Sequence, residues 1–215
     1  METKINTGRS GGKAAFTLIE LLVVIAVIGI LAAMISHLSG PAAIKRKIAR
    51  VTVELAQLET AIDSYKEAKG FYPPSNADTN NSVTNQLFYE LSGTGYDVAN
   101  NKFFTIKGDE SITTNSLRTY FGVDGLANSS TDKSEVKNFF TGMKPSQYGE
   151  LVSSPEVELM LVPVEGPTDI VAANGKKINP WRYNSSAPVH NPETYDLWAE
   201  IVIGGKTNVI GNWKE

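Results

Sequence analysis

The sequence predicts an α+β fold in which one long N-terminal helix, transmembrane over its first half, packs on a small antiparallel sheet. Three patterns carry that expectation. Residues 16–35 read FTLIELLVVIAVIGILAAMI, with Thr17 and Glu20 the polar exceptions. Between residues 42 and 69, Ile44, Ile48, Val51, Leu55, Leu58, Ile62 and Tyr65 recur at alternating spacings of four and three, which draws one stripe on a helix. Beyond residue 156, apolar and polar residues alternate as they do on half-buried strands.

At about 1.5 Å per residue the first run covers roughly the 30 Å hydrocarbon thickness of a bilayer. Lys4, Arg9 and Lys13 precede it, so the positive-inside rule leaves the N-terminus in the cytoplasm and sends the chain after the span outside. A cleaved secretory signal is the alternative, with Ala32 and Ala33 as a small-residue site, but its apolar region is usually about 7–15 residues. Glu20 sits one turn inside the run. A lone carboxylate costs about 2.5–3.5 kcal/mol at the bilayer centre and less near an edge. Two readings stay open for it: an interfacial side chain that reaches back to water, or a functional group that needs a partner.

Gly40-Pro41 is expected to kink or interrupt the helix, because proline removes a donor and crowds the preceding turn. Opposite the apolar stripe, Lys45, Arg46, Lys47, Arg50, Glu54, Glu59, Asp63, Lys66 and Glu67 read as a solvated face, and the 45–50 cluster also suits anionic lipid headgroups. Gly70 closes the helix and Pro73-Pro74 forbid its continuation. Residues 75–145 turn to Asn, Ser, Thr and Gly, with a short apolar helix expected at 85–91 and further short elements around Phe103-Phe104 and 136–140. Val157, Leu159 and Leu161 then alternate with Glu156, Glu158 and Met160. Tyr195, Leu197, Ala199, Ile201 and Ile203 alternate with Asp196, Trp198, Glu200 and Val202, and Gly204-Gly205 offers a hairpin turn. The expected divisions are a cytoplasmic leader at 1–15, a transmembrane helix at 16–38, its amphipathic continuation at 39–70, a connecting insertion at 71–155 and the sheet at 156–215.

Composition narrows the chemistry. The 215 residues hold 20 Lys plus Arg against 23 Asp plus Glu, two His and no Cys. There is no disulfide, Cys-based metal site or thiol nucleophile. With the leader removed the chain is more acidic still, so no nucleic-acid partner is expected. A phosphate-binding loop, a HExxH pair, a nucleophile elbow and an EF-hand spacing are all missing. His37 and His190 read as surface residues, and no enzyme is expected.

The segment Lys13-Ala14-Ala15-Phe16-Thr17-Leu18-Ile19-Glu20-Leu21-Leu22 resembles the N-terminal processing motif of the type IV pilin superfamily, which includes the pseudopilins. The resemblance implies that a prepilin peptidase cuts between Ala15 and Phe16, that the new Phe16 amine is methylated, and that Glu20 is the fifth mature residue. The family normally has Gly before the cut, where this chain has Ala15. It further implies homo-oligomeric assembly, with the Phe16 amine of one subunit paired to Glu20 of a neighbour in an apolar core; either charge left unpaired there is penalised.

Residues 58–66 (LETAIDSYK), 70–73 (GFYP), 179–183 (NPWRY) and 195–199 (YDLWA), with Asn212-Trp213, are similar to segments of the major pseudopilin of type II secretion. That likeness implies a single-pass protein of the bacterial inner membrane with a periplasmic C-terminal domain. Its partners would be prepilin peptidase, an inner-membrane assembly platform, a cytoplasmic ATPase and minor pseudopilins. A surface type IV pilin for adhesion, motility or DNA uptake and a monomeric membrane-anchored binding module remain the alternatives. Major pseudopilins also bind calcium in an Asp-rich C-terminal loop. Here the only acid at 198–213 is Glu200, against the six to eight oxygens calcium takes. No cofactor is therefore expected, Asp196 and Glu200 being weak calcium candidates.

Overall fold

A computed structural model describes residues 17–107, 110–153, 156–167 and 169–214, without the side chains of 35–40, 152, 153 and 156. The chain forms two compact units, 1–45 and 46–215. Its architecture is α+β.

Helix α1 (Leu18–Lys69) starts in the first unit. Its large apolar side chains there, Leu18 to Met34, are 47–81% exposed. The expected span, 16–38, runs past the described side chains at both ends. Among the described residues, no helix is long and apolar enough to cross a membrane. The interruption expected at Gly40-Pro41 does not occur, for α1 is helical through Pro41. Gly40 has no Cβ to meet the proline ring, which removes part of the clash that drives a pre-proline residue out of the helix. Good helix formers, Ala42 and Ala43, follow at once.

In the second unit the stripe of α1 enters the core at Val51 and continues through Leu55, Leu58, Ala61, Ile62 and Tyr65, while Ile48 stays exposed. Glu54, expected on the solvated face, is instead buried and accepts a hydrogen bond from Gln147 Nε2 at 3.1 Å. It stands one turn before Leu58 and beside Leu55, so its position on the helix decides against its charge. Gly70, at φ +85°, ends α1 with its N–H bonded to the Lys66 carbonyl at 2.9 Å.

The connecting region builds a layer of its own. Helix α2 (Leu87–Ser92) is buried along its whole length. Strands β1 (Thr94–Asp97), β2 (Lys102–Thr105), β3 (Ser111–Thr113) and β4 (Ser129–Ser130) form a sheet in the order β3-β2-β1-β4, with β1 and β4 parallel. Residues 136–140 carry no regular element, yet Phe140 reaches the core.

The single C-terminal sheet resolves into two. Strands β5 (Tyr148–Ser153) and β6 (Glu156–Met160) make an antiparallel pair with an irregularity between Glu150 and Val152. Strands β7 (Arg182–Asn184), β8 (Asp196–Ile203) and β9 (Lys206–Gly211) make a three-stranded antiparallel sheet. Leu197, Ala199 and Ile201 of β8 alternate into the core, and Gly204 and Gly205 turn the chain into β9 with φ of 57° and 77°. On β6, by contrast, Glu158 and Met160 are buried along with Val157 and Leu159. The helix α2 covers the second face, where the Glu158 N–H donates to the Tyr89 hydroxyl at 2.9 Å.

Candidate assembly surface and the anchors of the second unit

In the first unit the chemistry gathers at the start of α1. The Thr17 N–H and hydroxyl both donate to Glu20 Oε2 at 2.8 Å, and the Glu20 N–H donates to Thr17 Oγ1 at 3.3 Å. This reciprocal pattern is a capping box: Thr17 is the N-cap residue and Glu20 stands three positions on. It satisfies donors that a helix N-terminus leaves open and places a negative charge at the positive end of the helix dipole. The spacing Thr-x-x-Glu was present in the sequence as its signal. Ala15 and Phe16, the expected cleavage pair, lie outside the described residues.

The second unit is held by buried acids. Glu90 of α2 is 1% exposed. Its Oε2 accepts from the Tyr65 hydroxyl at 2.8 Å and the Asn128 N–H at 2.8 Å, and its Oε1 accepts from the Ala127 N–H at 2.7 Å. The Asn128 amide donates to the carbonyls of Glu90 and Lys137 at 2.8 and 2.7 Å. Burial pushes the Glu90 carboxyl above its ordinary range, and the three donors oppose that shift without cancelling it. Burial and the neighbouring Glu90 charge likewise raise the Tyr65 hydroxyl. The sequence signal was an acid in the apolar run of α2, and sequence reasoning passed over it.

Asp196 and Glu200, the calcium candidates, have separate partners. The Asp196 carboxylate accepts three consecutive backbone N–H groups, from Val189 at 2.6 Å and from His190 and Asn191 at 2.9 Å. Glu200 Oε2 pairs with Arg182 Nη2 at 3.1 Å, where burial lowers the guanidinium and Glu200 opposes that shift. Both acids thus fix the sheet and its loop, and among the described residues no group of three His, Cys, Asp or Glu is placed to hold a metal. His190 stacks on Trp213 with ring centroids 3.9 Å apart and planes 6° off parallel.

The family described as the prokaryotic N-terminal methylation motif matches residues 11–36, the stretch that contains the Thr17–Glu20 box. The fimbrial protein EcpB of Eikenella corrodens is 39% identical over 90 residues. That alignment covers 42% of this chain and 56% of EcpB, so the chain spans about half the length of the curated relative it matches. No solved structure matches. With this motif at the start of a long helix in an α+β fold, the chain is similar to type IV pilin-like proteins. Among such proteins, this chain is similar to a fimbrial one over the aligned residues.

Proposed function

We infer that the chain is a structural subunit of a pilin-type filament. It is made as a precursor with a leader at 1–15, anchored by a single pass at 16–38, cut by prepilin peptidase between Ala15 and Phe16 and methylated at Phe16. The observation that carries this reading is the methylation motif at 11–36. The apolar helix face behind it supports the same reading, because contiguous exposed apolar surface of this extent calls for lipid or for other copies of the chain. Glu20 then has a second use: the carboxylate that caps its own helix becomes the partner of a neighbour's Phe16 amine. The role is structural, not catalytic.

The finer reading is a pseudopilin of type II secretion, in which the domain after α1's apolar run is periplasmic and the partners are the assembly platform and minor pseudopilins. Its support is the likeness at 58–66, 70–73, 179–183 and 195–199 together with a cysteine-free chain. A surface fimbria is the second reading, favoured by the similarity to EcpB.

N-terminal sequencing and intact-mass measurement on the protein from its own membranes test the first step. A chain that begins at N-methylated Phe16 is expected. A chain that retains Met1, or one cut behind the apolar run, overturns the filament reading and leaves an anchored or secreted binding module. Fractionation then separates the two finer readings, since surface fimbriae are recovered by shearing whole cells and a short pseudopilus is not.

A further inference from the structure

We propose that Asn80 is a glycosylation site, the acceptor of an oligosaccharide transferred from a lipid-pyrophosphate carrier outside the cytoplasm. The inference goes beyond the filament reading and rests on one premise of it, that the chain after the apolar run lies outside. The pattern Asn-x-Ser/Thr, with x other than proline, is the acceptor of N-linked glycans. It occurs three times, as Asn80-Asn81-Ser82, Asn128-Ser129-Ser130 and Asn184-Ser185-Ser186.

The fold separates the three. Asn128 is 0% exposed, and its amide donates to the carbonyls of Glu90 and Lys137. Asn184 is 9% exposed; its amide donates to the Ala187 carbonyl, and its Oδ1 accepts from the N–H groups of Ser186 and Ala187. A sugar on either nitrogen would displace bonds that hold the interior. Asn80 stands instead at the end of four consecutive exposed residues, 77–80, in a segment without helix or strand. The buried Asn76 fixes the base of that segment, its amide donating to the carbonyls of Thr84 at 2.5 Å and Tyr120 at 2.9 Å. On the far side the Ser82 carbonyl accepts from the Tyr183 N–H at 3.0 Å. Between these anchors the loop meets solvent, which both the approach of a transferase and a bulky product require.

The Asn80 amide nitrogen donates to Asp78 Oδ1 at 3.2 Å, and Asp78 is exposed too. A bond of that length in solvent is readily exchanged for one to a transferase, and a carboxylate acceptor leaves more electron density on the nitrogen. In the transfer, that nitrogen bonds to the anomeric carbon of the oligosaccharide. The bond from this carbon to the pyrophosphate oxygen breaks, the lipid pyrophosphate leaves with the electron pair, and the amide gives up one proton to a base of the transferase.

Mass spectrometry on the full chain from its own membranes tests the site. Cleavage after lysine yields the peptide 70–102, which is expected to carry a mass increment of sugar residues located on Asn80 by fragmentation. Asn80→Gln and Ser82→Ala are each expected to abolish the increment, and Ser82→Thr to keep it. An unmodified Asn80 overturns the proposal. So does an increment that survives Asn80→Gln, as a sugar on the hydroxyl of Thr79 or Ser82 would, or an equal increment on Asn128 or Asn184. The N-terminus of the same preparation is read independently: methylated Phe16 with a bare Asn80 leaves the filament reading standing, whereas retained Met1 with a bare Asn80 overturns both.

Discussion

The Tyr65 hydroxyl, on the long helix, donates to the Glu90 carboxylate across 2.8 Å with both residues buried. That bond ties α2, and through Ala127 and Asn128 the start of β4, to the helix that enters the core.

Tyr65→Phe leaves Glu90 with two donors and is expected to cost about 1.5–3 kcal/mol, the range for a hydrogen bond to a charged group. Denaturant titration of the detergent-solubilised full chain measures it. A loss below half a kcal/mol would show that the bond contributes nothing beyond packing.

Stability should rise as pH falls from 7 towards 5. Burial raises the folded-state pKa of Glu90, and the same cause raises those of Glu54 and Glu59. A raised carboxyl binds its proton more tightly in the folded state than in the unfolded one, whose value is about 4.3. Its contribution is therefore fully present below the unfolded value and is lost as pH rises through the folded value. Melting temperature against pH gives the slope, and Glu90→Gln is expected to flatten it. A slope unchanged by that substitution would remove Glu90 as its source.

The two uses of Glu20 separate by substitution. Glu20→Gln keeps an acceptor for the Thr17 N–H and hydroxyl but drops the charge, whereas Thr17→Ala removes the cap side chain and keeps the charge. Thr17→Ala is expected to weaken the helix start by about 1 kcal/mol, seen as faster amide exchange in the first turn. If charge pairing governs assembly, Glu20→Gln loses filaments while Thr17→Ala retains them. The reverse ranking would assign Glu20 to capping alone.

Calcium is expected to leave the melting temperature where an equal ionic strength of magnesium leaves it, because Asp196 and Glu200 already have partners. A calcium-specific rise of several degrees, abolished by Asp196→Asn, would mean that the carboxylate gives up its backbone donors to the ion. Glu200→Gln tests the other acid. It leaves the buried Arg182 without its counter-charge and should cost about 3 kcal/mol.

Periodicity made the helix of 42–69 and the strand β8 legible, because one residue in every three or four, or every second one, faces a single core. It misplaced Glu54 and Glu158, whose side chains are charged but whose positions face the interior, and it missed the second buried face of β6 because α2 lies far from that strand in sequence. The separate sheet of β1 to β4 was hidden for a related reason. Its strands are two to four residues long, too short for alternation to register. At the N-terminus the Thr17–Glu20 spacing was readable as a capping box, but the carboxylate's charge drew attention away from its local bonds.

Asp196 grips the loop at residues 189–191 by peptide N–H groups, so the shape of that loop depends on the side chain at 196 and hardly on that of Val189, which is 77% exposed. Any residue except proline supplies the same donor. Position 189 is thus free to diverge, changing the chemistry this surface presents while the loop keeps its form, whereas His190 is tied to Trp213 by its stacked ring.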